Sequence, residues 1–172
     1  MGLIMKEILK TKNLILKEMN EYDIDNLCDI LTNKEVSLTY MLPIFKTKVD
    51  VLKLANSLIN KSRQNNCFLY GIFLKDKLIG FINEVMKNGK EMELGYVINP
   101  QYKNNGFATE ALKGSINYLF NNGFEFIKTG FFKGNIASMR VMEKSGMKRL
   151  EEIEEIEYRD KVYKCYFYGI RK

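Results

Sequence analysis

Apolar residues change rhythm several times along this chain, and each change marks an element. Leu14, Ile15 and Leu16 form a short run after polar Thr11-Lys12-Asn13, which predicts a strand. Ile24, Leu27, Ile30 and Leu31 then recur at helical spacing behind Asn20 and Asp23, an amphipathic helix with its start signal. Thr47 and Asp50 announce a second helix, whose apolar face is Val51, Leu54, Ala55, Leu58 and Ile59. Residues 36–45 between the two have no rhythm and are expected to be irregular. Their aromatics, Tyr40 and Phe45, suit either a substrate-facing wall or packing under a loop.

The middle of the chain shifts to strand patterns. Runs at 68–74 and 78–86 flank Lys75-Asp76-Lys77, a predicted hairpin turn, and Asn88-Gly89 turns the chain into a third run at 92–98. A helix is expected over 106–120, with Ala108, Ala111, Leu112, Ile116, Leu119 and Phe120 on its packing side and Gly123 as its cap. A strand at 126–132 follows. Asn135 opens a short helix bearing Ile136, Met139, Val141 and Met142, closed by Gly146. Two last strands, 147–158 and 162–170, turn around Arg159-Asp160-Lys161. The first of them fits poorly, because Ile153 and Ile156 stand three apart and a strand repeats every two. The sum is a mixed α/β domain with a largely antiparallel sheet, in which one strand–helix–strand crossover over 92–132 makes a parallel pair. No repeat, low-complexity tract or linker divides it, so residues 1–172 are expected to form a single domain.

Composition narrows the function by exclusion. The 172 residues are 46% hydrophobic and 28% charged, ordinary for a soluble globular protein. The net charge of +6 favours acidic ligands, yet the basic residues are scattered among acidic ones, which argues against a nucleic-acid partner. There is no histidine, which removes Ser-His-Asp and Cys-His nucleophile pairs and His-based zinc sites. Cys28, Cys67 and Cys165 lack metal-ligand spacing and read as thiols in a reducing cytoplasm; no metal is expected. No apolar run is long enough to span a membrane, and Met1-Gly2-Leu3-Ile4-Met5-Lys6 lacks a signal-peptide core. A cytoplasmic protein is expected.

One segment draws the chemistry together. The apolar run Leu94-Gly95-Tyr96-Val97-Ile98 halts at Asn99-Pro100 and passes through a polar turn into Gly106-Phe107-Ala108 and a helix. Strand, polar loop and helix start place several backbone N–H groups at a helix N-terminus, a setting suited to an anion, phosphate above all.

Those residues resemble a known family, the GCN5-related N-acetyltransferases. The span from Glu93 to Pro100, followed by Gly106-Phe107-Ala108-Thr109-Glu110-Ala111-Leu112, is similar to that family's cofactor motif. Asn135-Ile136-Ala137-Ser138-Met139-Arg140-Val141-Met142-Glu143-Lys144-Ser145-Gly146-Met147 is similar to its second motif. The opening Thr11 to Lys17 and the closing Tyr163 to Ile170 resemble the ribosomal-protein (Rim-type) N-terminal acetyltransferase branch. The resemblance implies the acyl-coenzyme A N-acyltransferase fold, with about six to seven strands and about four helices. It also implies acetyl transfer from acetyl-coenzyme A to a primary amine by direct attack, the amine being a protein N-terminus or a small molecule.

The resemblance carries residue roles as well. The pyrophosphate loop falls on Lys103, Asn104, Asn105, Gly106, Phe107 and Ala108, with Thr109 beside it; Lys103 replaces the usual Arg or Gln and would act as a point charge. Backbone groups of Tyr96, Val97 and Ile98 would pair with the pantetheine arm, and the amide of Val97 or Ile98 would meet the oxyanion. Glu93 is the expected base, acting directly or through water; a solvated strand glutamate is the alternative. The family's tyrosine acid is replaced by Met142, which cannot donate; the resemblance to the Rim-type branch implies Ser138 in its place, close to the sulfur as acid or through water, with helix capping or packing as its alternative role. Asn135 is expected to bond the pantetheine or to cap its helix. Tyr166 and Tyr168 remain aromatic candidates without a role. The missing tyrosine also admits a non-catalytic acyl-coenzyme A-binding module on the same fold, as a monomer or homodimer.

Overall fold

The computed structural model describes residues 7–172, so the N-terminal stretch read for a leader lies outside the described residues. Eight strands form one sheet in the order β1-β2-β3-β4-β5-β6-β8-β7. They are β1 (Leu9–Lys10), β2 (Leu14–Lys17), β3 (Leu69–Leu74), β4 (Lys77–Asn88), β5 (Glu91–Ile98), β6 (Phe126–Phe132), β7 (Lys148–Tyr158) and β8 (Lys161–Arg171). Among the described residues five α-helices flank the sheet: α1 (Ile24–Thr32), α2 (Lys34–Thr39), α3 (Lys48–Ser62), α4 (Phe107–Asn121) and α5 (Ile136–Lys144). All neighbouring strands are antiparallel except β5 and β6, the pair joined through α4.

The sheet has an apolar core on each face. Leu112, Ile116 and Leu119 of α4 pack with Leu94, Ile127 and Tyr168 on one side. Leu27, Ile30 and Leu31 of α1 and Ala55 and Ile59 of α3 pack with Phe73, Phe81 and Val97 on the other. Leu112 and Leu119 have no exposure at all, and each such burial contributes roughly 1.5–3 kcal/mol. Glu110 ties α4 to the β1–β2 turn: its carboxylate accepts from Thr11 Oγ1 and Asn13 N, each at 2.6 Å, and from Asn13 Nδ2 at 2.9 Å. Burial raises this carboxyl, and those hydrogen bonds outweigh it, leaving the group lowered.

Three details depart from the sequence pattern. Residues 36–39, expected to be irregular, continue α2, whose N-cap Asn33 accepts from the amides of Glu35 and Val36. The helix is six residues long and buries only Val36, too little for a periodic signal. β1 has two residues and was equally invisible; it exists because it pairs with β2. The odd spacing of Ile153 and Ile156 has a cause in β7. Arg149 stands opposite Tyr168 and Ile153 opposite Tyr166, so β7 carries two extra residues there. Beyond this bulge Ile156 and Tyr158 share the half-buried face, while Ile153 is turned to solvent.

Candidate active site

β5 and β6 stay paired only from Glu91↔Phe126 to Leu94↔Thr129. Beyond that rung β5 follows β4 as far as Ile98, β6 follows β8 as far as Phe132, and a gap opens between them. The Asn99 amide donates to Ile79 O at 2.7 Å, across to β4. Antiparallel pairs alternate their hydrogen-bonding direction, so Val97 also spends its backbone groups on β4, whereas Tyr96 and Ile98 turn theirs into the gap. Of the two amides expected as oxyanion donors, Ile98 opens to the gap and Val97 does not.

A cavity of about 430 Å³ occupies this gap, within the usual range for a small-molecule site. Tyr96, Val97, Ile98, Lys103, Asn104, Gly106, Ala108, Thr109, Asn135 and Ser138 line it. Two segments far apart in sequence therefore meet across one space. Asn105 and Phe107 are not in its wall: Asn105 Nδ2 donates to Tyr102 O and Lys103 O, bracing the loop, and Phe107 packs on the core.

The helix at the cavity's edge begins without a side-chain cap. α2, α3 and α5 start under Asn33, Thr47 and Asn135, but α4 starts at Gly106 (φ +78°) with no side-chain bond to its first amides. Those amides keep their donor capacity for a ligand. Three cations line the cavity among the described residues: Lys103, Arg140 and Lys144. Glu35 is the acidic residue in the same wall, and it takes Lys103 in an exposed ion pair. Arg140 and Lys144 went unremarked in the sequence, although their four-residue spacing on α5 places them on one face. Glu35 carried no such signal.

Ser138 sits at the N-terminus of α5, where its amide donates to Asn135 Oδ1 at 3.2 Å. Its Oγ lies 2.8 Å from Tyr96 Oη. Burial pushes the Tyr96 phenol far above its ordinary range, so it stays neutral and acts as a hydrogen-bonding partner. Met142 is fully buried in the core. Tyr168 is buried too, its Oη donating to Glu143 Oε1 at 3.1 Å, and Tyr166 packs on Phe131 under Arg149; neither lines the cavity.

On the opposite face of β5 the site has a second half. Gly95 lets the Tyr40 ring lie against the strand: a Cβ there would stand 3.3 Å from Tyr40 Cε2. Tyr40 Oη donates to Asn83 Oδ1 at 2.8 Å, and burial pushes its phenol up to about 12. The hydroxyl of Tyr158, from the tip of the β7–β8 hairpin, donates to Ser37 O at 2.9 Å and accepts from Leu42 N at 3.2 Å, fastening the segment after α2. Glu93 is not in the cavity wall. It lies two residues before Gly95 on the same strand face, with its side chain 16% exposed and its Oε2 3.5 Å from Lys128 Nζ. Burial raises its carboxyl above the ordinary range, Lys128 pulls it back, and Glu154 and Glu152 push it up again. Cys165 lies nearby, but burial with the Glu93 and Glu154 charges pushes its thiol to about 11. It stays protonated at neutral pH and is no activated nucleophile. Among the described residues no group of three or more Cys, Asp or Glu could hold a metal ion, and no helix is long and apolar enough to cross a membrane.

The chain is similar to known proteins in sequence and in fold. Residues 13–148 match the family model described as an acetyltransferase (GNAT) domain. YnaD, an uncharacterized N-acetyltransferase of Bacillus subtilis (strain 168), is 32% identical over 146 residues, 82% of each chain. A GNAT-family acetyltransferase from Bacillus anthracis superposes with a TM-score of 0.82 at 24% identity, covering 96% of this chain and 98% of that one. RimL, a ribosomal-protein alpha-N acetyltransferase solved in complex with coenzyme A, superposes with a TM-score of 0.81 at 15% identity, again over 96% and 98%. At these identities the two structures establish the fold.

Proposed function

The chain belongs to the acetyltransferase (GNAT) family, and on that premise we propose that it acts as a single-domain N-acetyltransferase moving an acetyl group from acetyl-coenzyme A to a primary amine, a protein N-terminus or a small molecule, by direct attack. The observation that carries this reading is the parting of β5 and β6 over a cavity whose far wall is the uncapped start of α4. Acetyl-coenzyme A supplies an activated thioester when bound. The residues present fit it: Tyr96 and Ile98 offer free backbone groups along the gap, the first amides of α4 offer donors, and Lys103, Arg140 and Lys144 offer positive charge to its phosphates.

The remaining groups divide the proton work. Glu93, half withdrawn from water beneath Gly95, takes the proton of the attacking amine, directly or through one water. Ser138 Oγ, held by Tyr96 Oη, keeps a proton at the cavity wall for the leaving group. Ile98 N–H faces the gap as the donor for developing negative charge. Cys165 stays a thiol and does not compete with the amine as nucleophile.

The test is thiol release from acetyl-coenzyme A against a panel of amines and peptides. Turnover on at least one amine is expected, with Glu93→Gln lowering kcat/KM by ~10²–10⁴-fold, the usual contribution of a positioned base. A base must be deprotonated to act, and the Glu93 carboxyl is raised. Activity should therefore fall as pH drops through a value above the ordinary ~4.3 of glutamate. Tight cofactor binding with no turnover on any amine would sink the reading.

A further inference from the structure

Lys128 has two carboxylates to choose from, and it chooses unequally. Its Nζ lies 2.8 Å from Glu152 Oε1 and 3.5 Å from Glu93 Oε2, over the Phe167 ring at 4.5 Å from the centroid. Its side chain is only 14% exposed, so the choice is made in a partly dry setting where charge interactions are strong. Glu152 reaches it from the bulged part of β7, the two extra residues that the strand inserts between Arg149 and Ile153. The ionisable groups facing Glu93 are Lys128 from β6 and Glu152 and Glu154 from β7, with Cys165 from β8 beside them. One cation thus stands among three carboxylates, and its short contact is to Glu152 on the edge strand.

We propose that Glu152 is a positioning residue for the acetyl-transfer site: it draws the Lys128 ammonium away from Glu93 and so leaves Glu93 free to take a proton. A tight Glu93–Lys128 pair would hold the carboxylate ionised and make it a poor base at neutral pH. With no lysine nearby, Glu93 would stand beside two further carboxylates, which favour its protonated form. The bulge in β7 sets the balance between these extremes. Lys128 agrees with this division: burial opposes its charge, and the Glu152 hydrogen bond, ahead of the Glu93 charge, more than restores it. The proposal rests on Glu93 being the base, but its first test does not.

That test follows the Glu93 carboxyl by carbon NMR across pH in the full chain, the resonance being assigned by its loss in Glu93→Gln. Glu152→Gln should lower the Glu93 midpoint by about one pH unit as the lysine swings over, and Lys128→Met should raise it by about as much. In the Lys128→Met background, Glu152→Gln should move the midpoint less than half as far, since no lysine is left to release. An equal shift in both backgrounds would reduce Glu152 to simple charge repulsion and overturn the proposal, as would an upward shift in Glu152→Gln alone. Glu152→Asp, which keeps the charge, should restore most of the original midpoint. The acidic limb of the rate should then follow the same displacements. If the midpoints move as stated and the limb does not, Glu152 and Lys128 still set the protonation of Glu93, and the reading of Glu93 as base fails.

Discussion

The two sides of the β5–β6 gap are built by different means. On the α4–α5 side the donors are backbone amides at one helix start and side chains from two continuous stretches, Lys103 to Thr109 and Asn135 to Lys144. On the opposite side the groups are gathered from five elements: Tyr40 from the segment after α2, Asn83 from β4, Glu93 from β5, Lys128 from β6, and Glu152 and Tyr158 from β7. On the proposed reading, a backbone cradle would recognise what does not vary between reactions, the phosphate-bearing carrier. Side chains drawn from many elements can be exchanged one at a time, which suits a surface that selects an acceptor.

Substitutions that touch one side only should break this contrast if it is wrong. Among substitutions outside the proton-transfer groups, the largest effect is expected from Gly106→Val. No neighbouring atom lies within 4 Å of a Cβ built there, so the obstacle is the φ of +78° rather than a clash. A β-branched residue in that region costs ~1–2 kcal/mol. Titration of coenzyme A by calorimetry should show affinity reduced by about 5–30-fold, with the KM of the amine unchanged. Next comes Tyr158→Phe, which removes the hydroxyl shared by Ser37 O and Leu42 N. Losing it should cost about 1 kcal/mol, and steady-state kinetics should place the change in the amine KM and leave that of acetyl-coenzyme A alone. A rise in both would mean that the two sides are coupled. The smallest effect is expected from Glu35→Gln, which frees Lys103 from its ion pair. Acetyl-coenzyme A should bind about two- to threefold more tightly at low salt, the gain fading as ionic strength rises.

Legibility in the sequence follows the same divide. The uncapped start of α4 and the Asn135 cap could be read from adjacent residues, because a helix start is a local event. The pairing of Ser138 Oγ with Tyr96 Oη could not, since it joins residues 42 positions apart. Ser138 was singled out by its motif, and its partner only by the tertiary placement of α5 within reach of the Tyr96 hydroxyl. Glu93 was legible as a candidate, but its neighbours were not. Nothing in the run Glu151 to Glu157 marks Glu152 as the residue that meets Lys128, because a bulge in β7 decides that.

The stretch from Glu93 to Thr109 therefore determined by itself that a strand would end in a polar loop and an uncapped helix, since each step depends on the residues beside it. The absence of histidine likewise settled which acid–base groups were available. The tertiary structure alone decided that β5 and β6 part after Leu94 and Thr129, that Val97 faces β4 while Ile98 faces the gap, and that Lys128 leans toward Glu152. Strand order, register and bulges are set by burial summed over the whole sheet, and no single segment contains that sum.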